Sequence, residues 1–258
     1  MNENPPSFPT AGLPAPTSSL ASRLFNIFAT PGEVFDEVKA SATQTANWLL
    51  PLLLSCVIGV AGALTIFAQP AIQQQIREQQ EQQFEKMVKA GKMTKEQAES
   101  ARSAAEGIGL TVAKIGGAVM GVVMSFVWVF LLPLLFKLLA GPILKGSLPY
   151  MKAVEMGALA CMIPILGGIV KTLLIVVMGN MYATPGPVLL VGEFDPQNAT
   201  HLTLSAVNVM TLWYLGVLSL GIARVGGVPV GKVLAWVYAA WLLLAAAGVG
   251  LGAWAANR

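Results

Sequence analysis

Histidine is almost missing from this sequence of 258 residues, with His201 its one copy, and cysteine occurs only at Cys56 and Cys161. A lone histidine with no cysteine beside it argues against a His-based metal site and a Ser-His-Asp triad. Each cysteine sits inside an apolar run, which excludes a disulfide framework and a CxxC redox or zinc motif and leaves two small buried hydrophobes. Charge is scarce as well: Asp, Glu, Lys and Arg make up 11% of the chain, against about 25% in soluble domains. Hydrophobic residues reach 55% and the mean hydropathy is +0.67, so this is a membrane chain. A formal net charge of +3, scattered along the sequence, excludes nucleic acid as a partner. Paired carboxylates with a neighbouring base, a glycine loop ending in GK[ST] and an HExxH helix are also missing. No catalytic residue, cofactor site or metal site is therefore expected, and the chain reads as a non-enzyme.

The few charges are unevenly placed. Of the 29 charged residues, 13 fall between Arg77 and Lys114 and six precede Trp48, which leaves room for long uncharged spans. Residues 1–22 hold five prolines and no periodicity able to bury a face, and read as a disordered tail with none of the features of a signal peptide. Residues 23–47 form an amphipathic segment. Thr30-Pro31-Gly32-Glu33 reads as a capping box with proline at the first helical position, and Val34, Phe35 and Val38 share one face of the helix it starts. Two placements are open for that stripe: in the headgroup region of the bilayer, or packed against the ends of the spans.

Five spans follow within a membrane domain of residues 48–254. The first covers residues 48–68, opened by Trp48 and closed by Gln69-Pro70; the second covers 115–136, bounded by Lys114 and Lys137. The third apolar region, 153–182, contains Glu155 and Lys171 and reads as one long helix that Pro164 can kink. The fourth is expected over 204–223 and the fifth over 228–254, with Trp236, Tyr238, Trp241 and Trp254 as anchors. Between the first two spans, residues 70–114 read as a charged helical hairpin. Gly91 breaks it, and the box Thr94-Lys95-Glu96-Gln97 starts a second arm towards Glu106. The stripe of Ile72, Ile76 and Met87 is thin, so the pair is expected to project from the membrane. The fold class is thus all-α, a polytopic bundle with five spans and a polar hairpin.

Orientation follows from short-loop lysines and arginines. Lys137, Lys145 and Lys152 in the second loop and Arg224 and Lys232 in the fourth share the amino-terminal side, whereas the third loop (183–203) has only Glu193 and Asp195. The amino terminus is expected in the cytoplasm, in an inner membrane, with the carboxyl terminus on the far side. The long first loop, with seven basic residues and six glutamates, then lies outside.

Four stretches in this order, LFNIFATPGEVFDEV, EQQFEKMVKAGKMTKEQAESA, KGSLPYMKAVEMGALACMIPILGGIV and NVMTLWYLGVLSLGIARVGGVPVGKV, resemble the Yip family, the Ypt/Rab-interacting membrane proteins, in its short bacterial form. The resemblance implies five spans, a cytoplasmic amino terminus and a very short far-side carboxyl terminus. Eukaryotic relatives are linked with membrane traffic and small GTPases through a longer amino-terminal domain. Here about 47 residues precede the first span, which puts a GTPase-binding role in doubt.

Three polar residues fall within or beside the spans. Glu155 can pair with Lys152 at i, i+3 near a helix end. Lys171 lies 18 residues beyond Ala153, about 27 Å deeper, within snorkelling reach of the far headgroups. Asn208 either bonds another helix or sits at the far interface. Gly117 with Gly121 and Gly248 with Gly252 are GxxxG pairs, read as intramolecular packing ahead of a dimer face. The expected interaction surface joins Phe25, Phe28 and Phe35 as exposed aromatics to Lys145, Lys152, Arg224 and Lys232. Expected partners are the lipid bilayer, other membrane proteins or a second copy. Two functions are weighed, a non-catalytic scaffold or adaptor and, as the alternative, a transporter of a small solute, ion or lipid.

Overall fold

Charge-free runs become helices in hydrocarbon because each backbone N–H and C=O must be satisfied within its own segment. The computed structural model describes residues 16–104, 109–140, 145–192, 194–195 and 197–256. Residues 1–15, Glu106, Glu193 and the side chain of Trp254 therefore lie outside the described residues. Five helical stretches are long and apolar enough to cross a membrane: Thr45–Ala68, Thr111–Leu138, Tyr150–Met178, Val209–Gly226 and Val230–Gly252.

Two short helices lead in, α1 (Leu20–Ala29) and α2 (Pro31–Ala40). The tail thus ends earlier than the composition suggested, because Ser19 caps α1 by accepting from the Ser22 N–H at 3.1 Å. Thr30 starts α2 without a side-chain capping bond. Its N–H already closes α1 by donating to the Asn26 carbonyl, and its ψ of 55° is not the extended value an N-cap normally takes. The apolar stripe packs inward: Val34, Phe35 and Val38 are buried, and α2 lies on the fourth span while α1 touches the third.

The first span is α3 (Thr45–Ala68), and α4 (Pro70–Lys89) and α5 (Lys95–Ala104) form the polar hairpin. Gly91, at φ 67°, makes the break, and Thr94 and Gln97 exchange both bonds of a capping box. The hairpin does more than project. Ile72 is wholly buried with Ile175 and Ala183, and the Gln75 side chain donates to the Gly179 carbonyl at 2.5 Å and accepts from the Met181 N–H at 3.1 Å. The base of α4 is thereby pinned to the exit of the third span.

The second span joins α6 (Leu110–Phe126), a π-helical turn (Val127–Leu131) and α7 (Leu132–Ala140). Pro133 has no N–H for the Val129 carbonyl, and the chain widens just before it. The Tyr150 hydroxyl donates to the Phe130 carbonyl in that turn at 3.2 Å. The third span divides at Cys161 into α8 (Tyr150–Ala160) and α9 (Met162–Met178). Pro164 cannot donate to the Ala160 carbonyl and crowds it, so the expected kink falls one turn earlier, as a break.

A helix of eight residues, α10 (Ala199–Ala206), precedes the fourth span α11 (Val209–Gly226), which therefore starts later than the hydropathy indicated. Asn208 is its N-cap, accepting from the N–H groups of Met210 and Thr211. α12 (Val230–Ala256) is the fifth span, entered through Gly227 at φ 68°. Helices α3 and α6 cross closely, so that a Cβ on Gly121 would come 3.3 Å from the carbonyl carbon of Gly59. Gly117 meets Phe67 in the same interface, so this glycine pair packs within the chain.

Candidate functional site

Two features stand out for their polar content. The first lies where α1 and α2 meet the starts of α3 and α8. The α8 backbone carries Lys152 and Glu155 one turn apart on the same face, and their side chains pair at 3.0 Å. Glu155 is wholly buried, and its Oε1 accepts from the Gln44 N–H at 2.6 Å and from the Asn47 amide at 3.0 Å. The Asn47 carbonyl oxygen in turn accepts from Arg23 Nε at 3.0 Å. Arg23 Nη1 donates to the Ser18 carbonyl at 2.6 Å and lies 3.7 Å from Glu37. Lys152 also donates to the carbonyls of Val38 at 2.6 Å and Ser41 at 2.8 Å, while its contact with Glu155 Oε2 is an ion pair without a hydrogen bond. Two cations and two carboxylates cancel in formal charge and are linked through one amide. This chain of bonds clasps α1, α2 and the connection from α2 to α3 onto the base of the third span.

Glu37 closes the clasp at its outer end. Its carboxylate accepts from the Ser18 N–H at 2.6 Å, from the Ser18 hydroxyl at 2.5 Å and from Thr17 at 3.2 Å. Burial pushes its pKa up, but the Ser18 and Thr17 bonds and the Arg23 charge outweigh that and hold it below the ordinary carboxylate value.

The expected aromatic and basic surface divides. Phe25 is 75% exposed, and Phe28 is half-buried with its ring 5.9 Å from that of Trp213. Phe35 is 0% exposed, lodged against Gly221, and Lys152 is buried in the clasp. Both are corrections to the expected exposed surface: the stripe of α2 faces the bundle, and the Lys152 ammonium points at backbone carbonyls. Lys145 and Lys232 are exposed, while Arg224 shares an exposed ion pair with Asp36 at 3.0 Å. The Ser147 N–H donates to the Gly226 carbonyl at 3.3 Å, which brings the second and fourth loops to the same end of the bundle.

The second feature is a cleft of about 320 Å³ between α3, α6 and α9, lined by Ser55, Gly59, Gly121, Ser125, Gly168 and Lys171 among others. Lys171 is exposed there, and Asn208 is away from it at the start of α11. Residues 25–252, covering all five spans and the whole of α2, match the Yip1 domain. The chain belongs to the Yip1 family. No curated protein and no solved structure matches it. As a Yip1 chain with five apolar helices it is a multi-pass membrane protein.

Arg23, Asn47 and Glu37 were not among the candidate residues of the sequence. Asn47 carried a signal, a polar side chain directly before an apolar run. Nothing local could have named its partners, which lie 24 residues before it and 108 after it.

Proposed function

We propose that this Yip1 protein is a non-catalytic scaffold or adaptor in a bacterial cytoplasmic membrane, with its amino terminus in the cytoplasm and its carboxyl terminus on the far side. It gathers membrane-protein partners or anionic lipids on the face formed by α1 and the loops at its end of the bundle. The observation that carries this reading is the exposure of Phe25 on a helix clasped rigidly to the third span, at the end where Lys145 and Lys232 are also exposed. An aromatic side chain held on a fixed helix, at the same end of the bundle as exposed cations, suits docking, because little is lost in ordering it on binding. The buried charges support the same reading, since their bonds are used in holding α1 and α2 in place.

Site-specific photo-crosslinking tests it. With benzoylphenylalanine at position 25 in living cells, a recurrent protein adduct is expected, weakened when Lys145 and Lys232 are both changed to glutamate. Leu243, exposed on the outer face of α12, is the control position. The same adducts from positions 25 and 243, or adducts indifferent to the two charge reversals, refute the proposal.

A further inference from the structure

We propose that the cleft between α3, α6 and α9 holds one acyl chain of an anionic phospholipid, with its phosphate at Lys171. This site is away from the α1 face and does not rest on the scaffold reading. Gly59, Gly62, Gly121 and Gly168 leave the space by contributing no side chains, and the break at Cys161 sets α9 off from α8 where the cleft begins. Met124, Trp128, Pro164 and Lys171 line it and are exposed, so it opens sideways towards lipid. At roughly 30 Å³ for each water-sized group, about ten such groups fit. That is room for much of one chain of methylenes and not for two.

The polar atoms of the walls decide what class of molecule fits. The Ser125 hydroxyl donates to the Gly121 carbonyl at 2.8 Å and so must accept from Ser55, whose Oγ is 2.8 Å away. The Thr172 hydroxyl donates to the Gly168 carbonyl at 2.9 Å. The wall hydroxyls thus spend their protons on the protein, and the walls present an apolar surface to a guest. Lys171 is the exception: among the described residues no ion pair or hydrogen bond engages it. It sits seven residues before the end of α9, about 10 Å along the axis. A cation at that depth is costly without a counter-charge. A small polar solute would need donors and acceptors along the walls, whereas an anionic lipid needs an apolar trough with one cation at its end.

The test is native mass spectrometry of the full chain in detergent, titrated with dioleoylphosphatidylglycerol or dioleoylphosphatidylcholine. One phosphatidylglycerol is expected to be held preferentially. Lys171→Gln should weaken it about fivefold, the value of one basic residue near an anionic lipid, leave phosphatidylcholine unchanged, and be reversed in Lys171→Arg. Gly168→Leu should remove the retained lipid with Lys171 intact. A Cβ there finds only Ile58, 3.8 Å away, so the added side chain has space to enter the cleft. Equal retention of phosphatidylglycerol by the native chain and Lys171→Gln overturns the proposal, and that variant decides even if Gly168→Leu fails to fold. Competition by glycerophosphate alone, or retention undiminished in a folded Gly168→Leu chain, also overturns it by showing a headgroup site without a seated chain.

Discussion

Replacing Lys152 with methionine keeps the apolar stem of the side chain and removes only its ammonium. The carbonyls of Val38 and Ser41, which accept at 2.6 and 2.8 Å, lose their donor. Glu155, with none of its surface exposed, loses the cation 3.0 Å away. Removing one partner of a buried pair costs about 3–5 kcal/mol, because the remaining charge stays desolvated. At about 2–4 °C per kcal/mol for a chain of this length, the melting temperature in detergent should fall by about 6–20 °C. Tryptophan fluorescence during heating reads that fall, and limited proteolysis should show residues 16–44 released first. The double variant Lys152→Met/Glu155→Leu should recover part of the loss, since apolar replacement of a buried pair is often close to neutral. Recovery is incomplete because the Gln44 N–H and the Asn47 amide then lack their acceptor. A single variant that melts within about 2 °C of the native chain, less than 1 kcal/mol on the same scale, refutes the reading of this cluster as a clasp.

Two more outcomes follow from the same architecture. The folded-state pKa of Glu37 is depressed, so its contribution is present above the ordinary carboxylate range and is lost as pH falls through the folded value; the hydrogen-exchange protection of α1, corrected for the intrinsic rate at each pH, should therefore fall in acid, and Glu37→Gln should remove that dependence. In a chain with Cys56 and Cys161 replaced, a cysteine at Ser147 and one at Thr43 should label from one side of the membrane and one at Gln197 from the other, and labelling of Ser147 and Gln197 from the same side would remove the five-span arrangement.

What could be read in the sequence depended on how far apart the interacting groups lie. The spans were legible because exclusion of charge is a property of each run by itself, and the Thr94–Gln97 box because both of its bonds join residues three apart. The Thr30 box fixed where α2 starts but not its bonding, since Thr30 must also close α1. The last residues of α10, from Leu204 to Ala206, fall inside the expected fourth span because Leu204, Ala206 and Val207 are apolar, although Asn208 before an apolar run is a capping signal in its own right. Periodicity showed that Phe35 shares a buried-looking stripe and could not say whether lipid, a partner or α11 covers it. The cleft was illegible for a related reason: its three helices contribute glycines and serines whose neighbours are set only by the crossing of α3 with α6.

The clasp also orders events in time. Its bonds from residues 38–47 reach side chains 108 to 114 residues further along the chain. At a synthesis rate of about 5–20 residues per second, those partners leave the ribosome about 5–20 s after the segment that needs them. Throughout that interval the nascent α1–α2 pair has its stripe of Val34, Phe35 and Val38 made, but neither the third span nor the fourth, on which α2 mainly lies, to bury it. The newborn amino-terminal segment is therefore a client for the bilayer surface or a chaperone until the third and fourth spans are inserted, and closing of the clasp marks the arrival of the third span before the fourth covers the stripe.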